Sequence, residues 1–166
     1  MKKHLFSIII ILSGFYYYSE PQISETKIEN KRYEISYDEM KVIDTGFNFL
    51  DIFLNNLIVG LILSIFGFLS GGLITIIVLF WNGYILSIIF NLALNLLETI
   101  EILYYSKHIP IEIIGLILLS SIGFKGFLFY KEVFFQKKIN LKIIPKSNEF
   151  ILPVSLLFIA SIIETL

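Results

Sequence analysis

The longest uninterrupted hydrophobic stretch of the chain runs from Ile52 to Leu97 and contains no charged side chain. A single helix of that length would measure about 69 Å, more than twice the thickness of a hydrocarbon core of about 30 Å. The chain must therefore turn within the stretch. Ser70-Gly71-Gly72 is the place to turn, because glycine accepts the backbone angles of a tight turn. The pattern predicts a transmembrane hairpin with arms from Phe49 to Leu69 and from Leu73 to about Leu92.

Further apolar runs flank the hairpin, at Leu5 to Tyr18, Pro110 to about Tyr130, and Ser147 to the end. Over the whole chain 56% of the residues are hydrophobic and only 16% are charged. A soluble domain of this size could not bury so much apolar surface. The sequence therefore predicts an all-α, polytopic integral membrane protein with about five transmembrane helices in the lipid bilayer.

The segment after Phe90 has a different pattern, with Asn91, Asn95 and Glu98 at helical spacing. It is either an extension of the second arm or an amphipathic helix at the membrane interface that ends near Tyr104. The sequence leaves both structures open.

A basic head, Met1-Lys2-Lys3-His4, precedes the first apolar run. A cleaved signal peptide would carry small residues at its cleavage point, and the aromatic residues around Tyr16 do not provide them. We therefore predict that residues 1–19 form a retained transmembrane anchor, with a cleaved signal peptide as the alternative. Residues 20–46 are polar and rich in acids, which predicts an external loop, and residues 47–166 are predicted to form a four-helix transmembrane core.

Lysines collect at the end of the crossing that starts at Pro110 and in the loop behind it. They are Lys125, Lys131, Lys137, Lys138, Lys142 and Lys146. The positive-inside rule places such a loop in the cytoplasm, together with the basic N-terminal head. We therefore expect a bacterial cytoplasmic membrane protein with its N-terminus in the cytoplasm and its C-terminus outside.

Small residues recur at helical spacing along the predicted crossings. Such residues form faces on which the backbones of two helices approach each other closely. The predicted packing positions are Gly60, Ser64, Gly67, Gly71, Gly72, Thr75, Gly83, Gly115, Gly123 and Gly126.

Polar side chains within the predicted crossings form a second group of candidates. They are Asn55, Asn56, Asn82, His108, Glu112 and Glu164. Amide groups in lipid cost several kcal/mol unless they are bonded, so we expect the asparagines to point into the protein. Counting along the helices places Asn82 near the bilayer midplane and the others toward the outer leaflet, which predicts a shared polar cluster there. Hydrogen bonding between helices, without any ligand, is the alternative for the asparagines.

Recognisable chemistry is sparse in this sequence. His108 and Glu112 have the spacing of two metal ligands, but a zinc protease helix has two histidines with the glutamate between them, and His4 is the only other histidine. The chain has no cysteine, and it shows no nucleotide-binding loop, nucleophile triad or basic patch for nucleic acid. We therefore expect no metal, no cofactor and no nucleic-acid partner.

Several short motifs follow one another in a fixed order. They are Asn55-Asn56, Gly71-Gly72-x-x-Thr75, Asn82-Gly83, His108-x-x-x-Glu112 and Ala160-Ser161-Ile162-Ile163-Glu164. In this order they resemble the stage II sporulation protein M family of bacterial multi-pass membrane proteins. Two positions depart from the family's pattern: Ile109 stands where glycine usually follows the histidine, and larger residues follow Gly83 where a small one is usual.

The resemblance implies a non-enzymatic membrane scaffold or partner subunit. Its partners would be other membrane or cell-envelope proteins, such as a wall hydrolase. A second class stays open, a small permease-like subunit of an ABC-type export or self-immunity system that works with a separate ATPase. Either role is compatible with a homo-oligomer.

Overall fold

The computed structural model of the chain describes residues 2–19, 48–137 and 139–166. The predicted loop at 20–46 and Lys138 of the predicted cytoplasmic loop lie outside the described residues. The helices, in chain order, are α1 (Lys2–Ser19), α2 (Phe49–Leu69), α3 (Leu73–Leu96), α4 (Thr99–Tyr105), α5 (Ile109–Gly123), α6 (Lys125–Lys131) and α7 (Asn148–Thr165). Helix α2 contains a π-helical turn at Ile62–Phe66, and a second π-helical turn at Glu132–Gln136 follows α6.

Four helical segments are long and apolar enough to cross a membrane. They are Phe49–Leu69, Leu73–Leu96, Ile109–Gln136 and Leu141–Thr165. Helix α1 adds a shorter apolar segment at His4–Tyr17. The part of the chain that the structure describes contains no strand, so the prediction of a polytopic all-α protein is confirmed.

The predicted hairpin and its turn are confirmed. Gly71 and Gly72 have φ angles of 66° and 94°, which lie in the left-handed region that glycine accepts without strain. The Gly72 amide donates to the Gly67 carbonyl oxygen at 2.7 Å, the backbone bond of a Schellman ending for α2. The Ser70 hydroxyl oxygen accepts from the Ile74 amide at 3.1 Å, so it satisfies a donor in the first turn of α3.

The second arm of the hairpin is longer than predicted. Helix α3 continues to Leu96, and the chain leaves the helix at Leu97, whose ψ of 152° is extended. Glu98 and Glu101 then form a capping box that starts α4, in which the Glu98 amide donates to the Glu101 carboxylate at 3.0 Å. The region after Phe90 therefore contains both of the structures that the sequence left open.

Helix α5 lies at the centre of the bundle and packs against α1, α2, α3 and α7. It begins at Ile109 with Pro110 in its first turn, where the missing amide of proline costs nothing. Completely buried leucines from four helices meet around it. They are Leu63 of α2, Leu79 of α3, Leu119 of α5 and Leu157 of α7.

Buried hydroxyl groups connect helices across this core. The hydroxyl oxygens of Ser7 in α1 and Ser120 in α5 are 2.7 Å apart. The Thr75 hydroxyl donates to the Leu63 carbonyl oxygen at 2.9 Å and so joins α3 to the π-helical turn of α2. Because lipid offers no hydrogen-bond partner, polar groups at this depth are stable only when protein atoms bond them.

Glycines lie where the backbones of two helices touch. A Cβ atom at Gly14 of α1 would overlap the Phe80 carbonyl oxygen of α3, and one at Gly83 of α3 would overlap the Ile11 carbonyl oxygen of α1. The two glycines therefore let α1 and α3 cross in direct backbone contact. Gly14 was missed from the sequence, although it stands two helical turns from Ser7 and shares a face with it.

The contact between α2 and α5 is built in the same way. A Cβ at Gly123 would overlap the Leu63 carbonyl oxygen, and a Cβ at Gly67 would lie 3.2 Å from the Gly123 Cα and would also overlap the Thr75 hydroxyl of α3. Gly60 instead faces the end of the Leu119 side chain. Rigid backbone thus meets some of the predicted small positions, and flexible side chains meet others.

The end of the bundle that contains the glycine turn also holds the start of α7. There the Lys125 Nζ donates to both carboxylate oxygens of Glu149, with 2.6 Å to Oε1. Ser147-Asn148-Glu149 has the composition of a helix cap at the start of α7, but the structure shows no side-chain capping bond at Ser147. Ser147 has helical backbone angles, and Glu149 pairs with Lys125.

Helix α1 also starts at this end, because the Phe6 ring packs on the Phe124 ring at 5.3 Å between centroids, and Phe124 touches Gly72. Helices α1, α3 and α7 therefore run in one direction, and α2 and α5 run in the other. We call the two ends of the bundle the glycine-turn end and the His108 end.

Candidate functional site

A cavity of about 350 Å³ lies between α1, α3, α4 and α5, in the half of the bundle toward the His108 end. Most of its wall is aliphatic or aromatic, and includes Ile11, Ile85, Leu86, Ile89, Phe90, Ile113 and Leu116. Its polar lining consists of Asn82, Ser106, His108, Glu112 and Glu164. An apolar chamber with a few convergent polar groups is the usual form of a small-molecule site.

His108 stands at the mouth of this cavity as the residue that precedes α5. Its Nε2 atom lies 3.6 Å from Oε2 of Glu164 in the last turn of α7, and 13% of the histidine side chain and 34% of the glutamate side chain are exposed. The Nδ1 atom of His108 is buried and has no hydrogen-bond partner within the described residues. A buried ring nitrogen without a partner is rare, so it indicates a place where a further group is needed.

Glu112 lies one helical turn after His108, in the first turn of α5, where the helix dipole favours a negative charge. Its carboxyl group lines the same cavity as that of Glu164. The two groups come together because Gly115 lets α5 pack against Leu157 and the Pro153 carbonyl of α7. No described residue donates a hydrogen bond to the Glu112 side chain.

Asn82 provides the deepest polar group of the cavity. It lies about 15 Å along α3 from the glycine turn, close to the middle of a hydrocarbon core. Its side-chain amide donates to the Val78 carbonyl oxygen at 2.8 Å, one turn earlier in the same helix. That bond holds the amide in place and leaves its oxygen atom free of any described donor.

Asn55 and Asn56 lie apart from this cavity, and neither lines it. Asn55 is exposed on the outside of the bundle and Asn56 is half-buried, so the expectation that both amides point into the protein is wrong for Asn55. Neighbouring residues of a helix point about 100° apart, which prevents both side chains from facing the same core. Of the six predicted polar residues, the structure therefore brings together Asn82, His108, Glu112 and Glu164.

A second cavity of about 280 Å³ adjoins the first and was not indicated by the sequence. The two cavities share Ile11, Leu86 and Ile113 in their walls. The second cavity is lined only by apolar side chains of α1, α3 and α5, including Phe15 and Ile117. The two cavities are therefore neighbours, one lined by the carboxyl groups near the His108 end and the other an apolar cleft beside α1.

The described residues contain no group of three or more histidine, cysteine, aspartate or glutamate side chains placed to hold a metal ion. Among the described residues, no lysine or arginine lines either cavity. The cavity therefore presents the carboxyl groups of Glu112 and Glu164 and the His108 ring near its mouth. The Asn82 amide lies deeper among apolar side chains.

Comparison with known proteins gives one match. The family model described as Stage II sporulation protein M matches residues 4–166, nearly the whole chain. Searches of curated proteins and of solved structures found no match. The family match extends from α1 through α7, so it covers every helix that builds the cavity.

Proposed function

Because the chain belongs to the stage II sporulation protein M family, we propose that it is a non-enzymatic membrane scaffold or partner subunit that assembles with other cell-envelope proteins. Its place is the bacterial cytoplasmic membrane, with the N-terminus in the cytoplasm. The partners are membrane or envelope proteins, a wall hydrolase among them.

The observation that carries this proposal is the polar outer face of α2. Asn48, Asp51, Asn55 and Ile58 are all exposed, and they lie within about 80° of one another on the helix. We call these four residues the partner face. Asn55 lies about 9 Å along α2 from its start at Phe49, a depth that belongs to the hydrocarbon core if α2 spans it.

An asparagine in this position needs a partner. Its amide makes no hydrogen bond to a described residue, and lipid tails cannot provide one. A polar group on another transmembrane helix can, and such bonds between helices contribute about 0.6–2 kcal/mol each. The partner face therefore has the chemistry of a helix that associates with a second membrane protein.

A cross-linking experiment in the native membrane tests this role. A photoreactive amino acid at Ile58 should form an adduct with a different polypeptide, and Asn55→Leu should reduce the adduct about threefold or more, since it removes a bond of that strength. Asn95→Leu provides the matched control, because it makes the same chemical change at an exposed site on α3.

The same photoreactive residue at Ile77, on the exposed side of α3, reports random encounters in the membrane. Equal adducts from Ile58 and Ile77, or an adduct that Asn55→Leu does not change, would contradict the partner role of α2. An adduct of the chain only with itself would assign the face to a homo-oligomer instead.

The cavity favours a second candidate, the small permease-like subunit of an ABC-type export or self-immunity system. A chamber between helices with polar groups near the middle of the membrane is where substrates bind in many transporters. Recovery of an ATPase subunit in the Ile58 adduct would favour this candidate, and recovery of a wall hydrolase would favour the scaffold.

A further inference from the structure

We propose that the two adjoining cavities form one binding site for an amphiphile with an alkylammonium head and an aliphatic tail. The head lies between the carboxyl groups of Glu112 and Glu164, and the tail extends into the cleft lined by Phe15 and Ile117. This site shares no residue with the partner face of α2, so it goes beyond the role proposed above.

The side chains that line the cavity indicate a positive charge on the head of the amphiphile. Glu112 and Glu164 line the same cavity, and among the described residues of that lining His108 is the one group that is cationic when protonated. Two carboxylates that line one largely apolar cavity repel each other, and a cation between them removes that repulsion. An ammonium group also has several donors, which matches the acceptor oxygens of both glutamates and of Asn82.

The size and the apolar walls of the two cavities indicate that the ligand also has an aliphatic tail. Leu86 and Ile113 line both the cavity that holds the carboxyl groups and the neighbouring cleft, whose described lining is entirely apolar. The combined volume of the two cavities is larger than a compact cation needs. Apolar side chains favour an apolar ligand group, so an aliphatic chain fits the remaining volume. The head would stand toward the His108 end and the tail toward the bilayer centre, which is the orientation of a lipid in one leaflet.

Three other ligand classes fit the same residues less well. An anion would meet two carboxyl groups and no lysine or arginine in the lining. A metal ion would find no described group of three suitable ligands. A neutral amphiphile would fit the apolar cleft but would bring no positive charge to the two carboxyl groups, and this difference makes the test selective.

Photoaffinity labelling of the purified full chain in a non-ionic detergent tests the proposal. The probe is dodecylammonium with a diazirine at the end of its tail, and labelled positions are found by mass spectrometry. The label should fall on peptides that contain Phe15, Leu86 or Ile117. Unlabelled dodecylammonium should compete, and dodecanol should not when both are compared at equal concentration in the micelle, because the two share a dodecyl tail and differ in the head.

Variants locate the head of the probe. Glu112→Gln and Glu164→Gln should each weaken labelling about tenfold or more, the effect of losing one hydrogen bond to a charged group. Glu132→Gln is the matched control, because it removes a carboxylate at the glycine-turn end and should leave labelling unchanged. If one of the cavity variants does not fold, the other still decides.

Uniform labelling over the lipid-facing helices would overturn the proposal, and so would equal competition by dodecanol or labelling that neither glutamate variant reduces. Competition by phosphatidylethanolamine, which carries a primary ammonium head, would identify the bilayer as the source of the ligand. Competition by free alkylammonium alone would identify an amine that enters from water. Failure of the Ile58 cross-link has no bearing on these results, because that label lies outside the cavity.

Discussion

At the scale of single residues, glycine decides how closely two helices approach, because it has a hydrogen atom in place of a side chain. Gly123 and Gly60 both lie at contacts with neighbouring helices, but they face different kinds of atom. A Cβ at Gly123 would meet the Leu63 carbonyl oxygen, which belongs to rigid backbone, whereas a Cβ at Gly60 would meet the end of the Leu119 side chain. Backbone can move away only by separating α2 from α5, and a leucine can rotate.

We therefore expect Gly123→Ala to destabilise the protein by about 1–3 kcal/mol and Gly60→Ala to cost clearly less. Thermal unfolding of both variants in the same detergent measures the difference. Since each variant adds one methyl group to a helix, helix propensity favours both equally and cancels from the comparison. Equal melting temperatures would show that the α2–α5 contact adapts to added volume.

Helix geometry also explains which polar candidate residues could be located from the sequence alone. Depth follows from counting residues, and the counts that put His108, Glu112 and Glu164 at a similar level use only the rise of a helix. Direction around the helix does not follow so simply. For Asn55 and Asn56 the sequence gives one depth and two directions about 100° apart, and only packing decides that Asn55 faces outward.

At the scale of elements, the hydrophobic pattern predicts those parts of the fold that lipid alone determines. A helix is the one structure that satisfies its own backbone in a bilayer, so a charge-free stretch with one glycine pair had to become a hairpin. The position of α1 in the bundle could not be predicted from the hydrophobic pattern. It depends on the contact of Gly14 and Gly83 with distant backbone, and on the empty space left between three helices, neither of which a local pattern encodes.

Helices α5 and α7 are coupled through the carboxyl groups that they bring to one cavity. We expect Glu112→Gln and Glu164→Gln to be non-additive by about 0.5–3 kcal/mol in the free energy of unfolding, because each substitution removes the repulsion that the other would remove. Thermal unfolding of the two single variants and the double variant measures this coupling.

Asn56→Ala combined with Glu112→Gln is the matched control for this cycle. Asn56 lies on α2 and does not line the cavity, so the effects of these two substitutions should simply add. Additive effects in the Glu112 and Glu164 cycle would mean that the two carboxyl groups do not influence each other in the folded protein. If the Asn56→Ala and Glu112→Gln pair were non-additive by the same amount, the non-additivity would reflect a change of the whole bundle and not a contact between the two carboxyl groups.

At the scale of the whole molecule, the two ends of the bundle differ in charge. The glycine-turn end and the loop after it carry Lys131, Lys137, Lys142 and Lys146 among the described residues, together with Glu132. The His108 end carries Asp51, Glu98, Glu101 and Glu164 with Lys107. Short loops rich in lysine remain in the cytoplasm, so this asymmetry orients the entire bundle.

The orientation leads to a prediction that the chain is well suited to test, because it contains no cysteine. We expect Lys142→Cys to be protected from a membrane-impermeant maleimide in intact cells and Lys107→Cys to react. The reason is that Lys142 lies in the lysine-rich loop of the glycine-turn end, whereas Lys107 lies beside α5 at the other end. Permeabilised cells provide the control, since both cysteines should then react. Reaction of Lys142→Cys from outside, with protection of Lys107→Cys, would invert the bundle and place the mouth of the carboxylate cavity on the cytoplasmic side.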